Sequence, residues 1–235
     1  MENFTVIIPV YNEEDCIEEN TIKLVDFLDM LDVSYEIIIG NNGSKDSTPR
    51  KGRELSKRFP RRVTFFTVRE KGAVGTVFKE AVSISKYDNI ISIDMDLTTD
   101  LNFIPECAKL LEENDMIIGS KKMGSQERPF IRKIASRVFT NLTKCLLGVD
   151  FEDFSLGCKG YRKDSVIKYF DSIDKGSSYV IYLAYYLVNE DRSVKEIPVS
   201  CSDKRDSKFN IVDESVYRLR KLLKFWLLHK KRICR

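Results

Sequence analysis

The sequence is poor in the residues that build zinc sites and disulfide scaffolds. It has a single histidine, His229, and its six cysteines (Cys16, Cys107, Cys145, Cys158, Cys201 and Cys234) contain no CxxC pair. A structural or catalytic zinc centre therefore lacks the ligand spacing it needs. A chain of 235 residues can bury a core without covalent staples, so the thiols read as free cysteines of a reducing compartment. No run approaches the roughly 18 apolar residues of a membrane span, and Met1 to Val10 lacks the basic start and long apolar stretch of a signal peptide. The expectation is a cytoplasmic protein whose membrane contact, if any, is from the surface. Repeats, low-complexity tracts and a Pro/Gly linker are also missing, which points to one sizeable domain.

What is present is an ordinary globular balance, 43% hydrophobic and 32% charged, which excludes a disordered chain. The net charge of +3 is unevenly distributed. Val216 to Arg235 carries eight Lys or Arg and no acid, leaving 31 basic against 36 acidic residues before it. A mildly acidic body thus precedes a strongly basic tail.

Short β-branched runs alternate with helical patterns: strands over Phe4 to Val10, Glu36 to Ile39, Val63 to Val68, Asn89 to Ile93 and Asp115 to Ile118. Helices are expected over Glu13 to Leu31, Ser47 to Arg58, Ala73 to Ser85 and Asn102 to Glu113. This is the rhythm of an α/β protein, a Rossmann-like, mostly parallel sheet flanked by helices. Further helices from Arg132 to Leu147 and Tyr179 to Val188, and strands near Gly157 to Tyr161 and Val194 to Val199, complete it.

Open α/β sheets bind ligands at the carboxyl ends of their strands. Two segments fall there, Gly40-Asn-Asn-Gly-Ser-Lys-Asp-Ser-Thr and Asp94-Met-Asp-Leu-Thr-Thr-Asp. Asp94 and Asp96, two residues apart on an extended segment, share a side. Two like charges at a strand end call for a cation, and Mg²⁺ or Mn²⁺ takes one or two carboxylates plus substrate phosphates. Thr98 can add a hydroxyl. The alternative is that both aspartates solvate a loop or cap the next helix.

The series Phe4-Thr-Val-Ile-Ile-Pro-Val-Tyr-Asn-Glu-Glu, Asn42-Gly-Ser-Lys-Asp-Ser-Thr, Lys71-Gly-Ala-Val-Gly, Ile93-Asp-Met-Asp and Ile118-Gly-Ser-Lys resembles family 2 glycosyltransferases of the GT-A fold. Within that family the chain looks most like dolichyl- or polyprenyl-phosphate sugar synthases. Arg128-Pro-Phe-Ile-Arg, Asp153-Phe-Ser-Leu-Gly-Cys-Lys-Gly-Tyr-Arg and Arg205-Asp-Ser-Lys follow in the family's order, so the resemblance covers about residues 3 to 210. It implies a catalytic domain over 1–210 that moves a hexose from a nucleoside diphosphate sugar to a polyprenyl or dolichyl phosphate. The donor pocket would comprise Pro9, Tyr11, Glu13, Asn42, Lys71, Asp94 and Asp96, with the metal on Asp94, Asp96 and Thr98. A phosphate acceptor is already anionic and needs cations more than a base, and Lys121, Arg128, Arg132, Arg205 and Lys208 match the acceptor-phosphate positions. Asp96, Asp153 and Arg132 are the expected catalytic groups, with Asp153 orienting the acceptor or acting as base on a hydroxyl.

Where the family has Asp-Asp before Gly-Ser, this chain has Asn41-Asn42. An amide pairs one donor and one acceptor, which suits uracil better than guanine and favours a UDP-sugar. An acidic residue common in relatives is replaced by Val180 or Tyr182, while Tyr179, Tyr182, Tyr185 and Tyr186 read as a packed helical face.

As a helix, residues 211–235 gather Val216, Leu219, Leu222, Leu223, Trp226 and Ile233 on one side and Arg220, Lys221, Lys224, Lys231, Arg232 and Arg235 on the other. A basic amphipathic helix suits an anionic membrane surface, placing the protein on the cytoplasmic face of a membrane. A helix packed on its own domain is the alternative; nucleic acid is not expected, because the body is acidic. Two rival functions stay open: transfer to a sugar hydroxyl of a glycan or lipid-linked oligosaccharide, and a non-catalytic nucleotide-sugar-binding module. Oligomeric state is not legible.

Overall fold

Apolar runs of both faces pair into one seven-stranded sheet. The computed structural model describes residues 2–70, 72–124, 130–202 and 211–233, with backbone only at 130–133, 135, 211–215 and 231–233. The strands are β1 (Phe4–Val10), β2 (Tyr35–Asn42), β3 (Val63–Val68), β4 (Asn89–Ser92), β5 (Met116–Ser120), β6 (Lys159–Arg162) and β7 (Val194–Pro198). The helices are α1 (Ile17–Asp29), α2 (Thr48–Arg58), α3 (Val74–Ile84), α4 (Phe103–Leu110), α5 (Phe130–Leu147), α6 (Lys163–Ile167), α7 (Tyr179–Asn189) and α8 (Ile211–Ile233).

The strand order is β3-β2-β1-β4-β6-β5-β7. β1, β2, β3 and β4 run parallel, and so do β5 and β7, while β6 is antiparallel to both β4 and β5. β6 therefore begins at the edge where β4 and β5 end, which brings the segment before it onto the ligand face of the sheet. Alternate residues fill two cores. Val6, Ile8, Ile37 and Ile39 pack with Leu24, Leu28, Leu55 and Ile104 on one side; Ile7, Ile38 and Ile90 pack with Phe78, Tyr179, Leu183, Leu222 and Phe225 on the other.

Several boundaries differ from the sequence reading, and two of them bear on the site. β2 does not stop at Ile39: Gly40, Asn41 and Asn42 pair with Phe66, Thr67 and Val68 of β3, so ladder hydrogen bonds override the turn-forming composition. The turn falls at Gly43, whose φ of 81° suits a residue without Cβ. The first helix begins at Ile17 and not Glu13, because residues 12–14 are held by the β2–α2 loop: Asn12 N–H donates to Ser44 Oγ (2.8 Å), Glu13 N–H to Thr48 Oγ1 (2.8 Å) and Glu14 N–H to Asp46 Oδ2 (3.2 Å).

The tail forms a helix, but its faces are not those expected. Leu222 and Trp226, assigned to an outward apolar side, turn toward the domain, where Leu222 and Phe225 are buried. Phe225 stacks on Tyr182 with centroids 4.2 Å apart, and His229 hydrogen-bonds Tyr186 at 3.1 Å. Val216, Leu219, Leu223 and Leu227 stay exposed, three or four residues apart, beside exposed Arg220, Lys224 and Lys230. The tyrosines of α7 supply the bed for α8, since Tyr179, Tyr182 and Tyr185 are all buried.

Phe225→Ala is expected to cost about 3–5 kcal/mol, the usual loss for emptying a buried aromatic site, and urea denaturation with Trp226 fluorescence would measure it. A loss below 1 kcal/mol would mean that α8 is not docked in solution.

Candidate active site

Because β2, β1 and β4 are adjacent and parallel, their carboxyl ends place Asn42, Pro9 and Asp94 along one edge. On β1 and β4, Ile7 and Ile90 face the α3/α7 side, so Pro9, Ser92 and Asp94 emerge toward that side by alternation. After β4 the chain turns sharply: Leu97 N–H donates to Asp94 O at 3.3 Å, and Leu97 adopts φ of 48°, a conformation unusual for a branched side chain. This turn displays both aspartates.

Asp94 is surrounded by protein yet exposed to solvent, the situation of a carboxylate on the floor of an open cleft. Its pKa is raised by the surrounding protein and then by the Asp96 charge, while the Gly157 N–H and the Lys121 and Lys159 charges oppose that shift. Gly157 N–H donates to Asp94 Oδ2 at 3.2 Å. Asp96 accepts from Thr98 N–H (3.1 Å) and Thr98 Oγ1 (3.0 Å), so the Thr98 hydroxyl orients the carboxylate. Among the described residues no three acids, thiols or imidazoles converge into a metal cage. Two carboxylates with oxygen-rich surroundings fit a hard divalent cation that takes its remaining ligands from phosphate and water.

Pro9, Tyr11, Glu13 and Asn42, the residues expected at the donor, lie at or just after the carboxyl ends of β1 and β2. Asn41 is committed: its Oδ1 accepts from Ser44 N–H at 3.2 Å and its amide donates to Thr67 Oγ1 at 3.4 Å. Asn42 is buried, and among the described residues its Oδ1 has no hydrogen-bond partner. A buried acceptor without a donor is costly in an isolated protein. Lys71 lies outside the described residues, as do Arg128, Arg205 and Lys208; Arg132 is described only as backbone of α5.

Two residues expected at the acceptor are placed differently. Lys121 is 1% exposed; it pairs with Asp153 at 3.6 Å and donates to Ser155 Oγ at 2.9 Å. It is an internal ion-pair partner, not an open phosphate hand, because a buried ammonium keeps its carboxylate. Asp153, also 1% exposed, accepts from Lys121 N–H, Ser155 N–H, Ser155 Oγ and Leu156 N–H. Burial opposes its ionisation, but Lys121 and Lys159 outweigh burial and hold it at about 2. A carboxyl that acidic is a poor general base at neutral pH, so the expected base role is not supported by its surroundings. Lys122 was not singled out from sequence, yet its half-buried ammonium reaches Thr140 Oγ1 (2.7 Å) and Ser136 O (3.4 Å) on α5. Glu196, given no role from the sequence, accepts the backbone N–H groups of Glu152 and Asp153 and so seats the loop before β6. Burial pushes the Cys158 thiol up to about 12, which suits a packed side chain and not a nucleophile.

The strand order and the paired carboxylates at the end of β4 define a protein of the GT-A glycosyltransferase fold. The chain belongs to glycosyl transferase family 2, whose profile matches residues 5–170. It is 27% identical over 219 residues to the undecaprenyl-phosphate 4-deoxy-4-formamido-L-arabinose transferase of Edwardsiella ictaluri, covering 93% of this chain and 64% of that one. It is 36% identical over 140 residues to the dolichol-phosphate mannosyltransferase of Pyrococcus furiosus, covering 57% of this chain and 38% of that one. The chain thus spans less than two thirds of the length of these relatives. Among solved structures it is similar to glucosyl-3-phosphoglycerate synthase from Mycobacterium tuberculosis in complex with Mn²⁺, UDP-glucose and phosphoglyceric acid, with a TM-score of 0.68 at 17% identity over 96% of this chain and 80% of that one.

The Asp153 carboxyl has a folded pKa below its ordinary 3.8, so its contribution is fully present above about pH 4 and lost as pH falls through about 2. Lys121→Met should lower stability by about 3–5 kcal/mol at neutral pH by stranding a buried carboxylate. It should also shift the acid-unfolding midpoint upward; circular dichroism against pH would measure both.

Proposed function

We propose that the chain is a divalent-metal-dependent glycosyltransferase that moves a hexose from a nucleoside diphosphate sugar to a polyprenyl or dolichyl phosphate. The observation that carries this reading is the pair Asp94 and Asp96 on an open cleft floor, in line with the buried, unsatisfied Asn42 acceptor two strands away. The named activities of the relatives, undecaprenyl-phosphate sugar transfer and dolichol-phosphate mannosyl transfer, support the acceptor class, and the Mn²⁺ and UDP-glucose of the structural neighbour support the donor class.

Asp94 and Asp96 would hold Mg²⁺ or Mn²⁺, which when bound neutralises charge on the departing diphosphate. Pro9, Tyr11, Glu13 and Asn42 are assigned to the base and ribose side, and Lys71, outside the described residues, to the loop that approaches the donor; the Asn42 amide favours uridine over guanosine. The acceptor phosphate oxygen bonds to the anomeric carbon as the nucleoside diphosphate leaves. Arg128, Arg132, Arg205 and Lys208 are the proposed cations for that phosphate, with Lys122 added and Lys121 removed. The acidity of Asp153 favours an acceptor that is already anionic over a sugar hydroxyl that needs a base.

Among the described residues no helix is long and apolar enough to cross a membrane. The exposed Val216, Leu219, Leu223 and Leu227 stripe of α8, flanked by Arg220, Lys224 and Lys230, supports contact with an anionic cytoplasmic leaflet. Exposed Ile134 and Val138 of α5 extend the apolar surface.

Asp96→Asn is expected to lower transfer by about 10²-fold or more while leaving the circular dichroism spectrum unchanged. The assay is a panel of UDP- and GDP-sugars with dolichyl and undecaprenyl phosphate in vesicles with Mn²⁺; no product from any combination would sink the reading. Thermal shift in Mn²⁺ should rank UDP above GDP, and the reverse order would remove the Asn42 argument. Leu223→Ser with Leu227→Ser should reduce sedimentation with anionic vesicles without changing UDP binding; undiminished sedimentation would exclude this face as the membrane contact.

A further inference from the structure

A lysine that cannot reach a ligand nonetheless lies directly behind the cleft floor. Lys159 opens β6, is 1% exposed, and spends all three donors of its ammonium on carbonyl oxygens: Leu156 at 2.7 Å, Cys158 at 3.2 Å and Gly119 at 3.3 Å. No carboxylate hydrogen-bonds it among the described residues, whereas its neighbour Lys121 is paired with Asp153. Burying an ammonium is expensive; the nearby Asp153 and Asp94 charges offset part of that cost, and its hydrogen bonds fix the geometry around it.

The geometry converges on Asp94. The two carbonyls that Lys159 grips at Leu156 and Cys158 flank Gly157, whose N–H donates to Asp94 Oδ2. From the opposite side Ser92 Oγ donates to Gly157 O at 2.8 Å, and Ser92 is the register partner of Lys159 in the β4–β6 ladder. Gly157 is packed so closely that a Cβ there would lie 2.2 Å from Asp94 Oδ1. Lys121 and Lys159 are also the two cations whose charge acts on Asp94. The ladder thus fixes Lys159, Lys159 fixes the turn at 156–158, and the turn aims one carboxylate.

We propose that Lys159 is a positioning residue for the metal site: it holds the Gly157 N–H against Asp94 and places a buried positive charge behind that carboxylate, and so sets cation affinity without touching cation or substrate. This rests on the reading that Asp94 and Asp96 bind a divalent ion.

The test measures Mn²⁺ binding to the full chain by the electron paramagnetic resonance of free Mn²⁺, with MnCl₂ alone and with MnCl₂ plus UDP. Lys159→Met should weaken binding about 10- to 100-fold, the usual effect of removing a group that orients a metal ligand. A second readout uses no metal: thermal midpoints of wild type, Lys159→Met, Asp94→Asn and the double variant. If the lysine charge compensates Asp94, then Asp94→Asn recovers part of the midpoint lost in Lys159→Met; strictly additive midpoints overturn the proposal, since a merely structural lysine gives additivity. Wild-type affinity in Lys159→Met overturns it while leaving the metal reading intact, whereas no Mn²⁺ binding by wild type removes the metal reading and the proposal with it. Should Lys159→Met fail to fold, Ser92→Ala releases Gly157 from the other side. A several-fold weaker Mn²⁺ affinity then supports the proposal, and unchanged affinity overturns it.

Discussion

The antiparallel pairing of β6 with β4 is the constraint on which the cleft depends. A strand parallel to β4 would start at the far edge of the sheet and leave its preceding loop there. Reversal makes β6 start at the ligand edge, opposite Ser92, so that residues 153–158 arrive beside Asp94. Everything buried behind that loop then follows from holding it: the Lys121–Asp153 pair, Glu196 on the Glu152 and Asp153 amides, and Lys159 on the carbonyls. The loop is anchored by buried Phe154, Leu156 and Cys158, and charged hydrogen bonds add to that packing.

Periodicity made most of the α/β framework legible. The strands from Phe4 to Val10 and Val63 to Val68 are found with the expected bounds, because each is a β-branched or aromatic run whose neighbours leave no competing helix pattern. The reversal of β6 was not legible, since strand direction is set by partners distant in sequence and leaves no local mark. The β2 extension through Asn42 was missed for a related reason: Gly and Asn carry turn propensity, and only the β3 ladder reveals that their backbone groups are paired.

The candidate site divides along the same line. Asp94 and Asp96 could be chosen because two acids at the end of an apolar strand are conspicuous in one dimension. Lys121 and Asp153 were conspicuous too, but charge in a sequence does not say whether its partner is a ligand or another side chain. Burial decides that. Lys159 carried a signal that could have been used, a lysine inside a short strand between Cys158 and Gly160, a setting in which an exposed ammonium is hard to accommodate.

The docking of α8 has a kinetic meaning. Tyr217 hydrogen-bonds Asp174, Arg218 bonds Ser177, and the neighbouring Lys175 carbonyl accepts the Gly75 N–H at the start of α3. The helix is thereby braced to the body and is not a loose tether. On adsorption through its exposed stripe, the body would lose its tumbling freedom and keep only rotation about the membrane normal and drift in the plane. On the proposed reading, the search for a lipid-linked acceptor would become two-dimensional with the cleft at a fixed height and tilt, and encounter would be limited by lateral diffusion and not by reorientation.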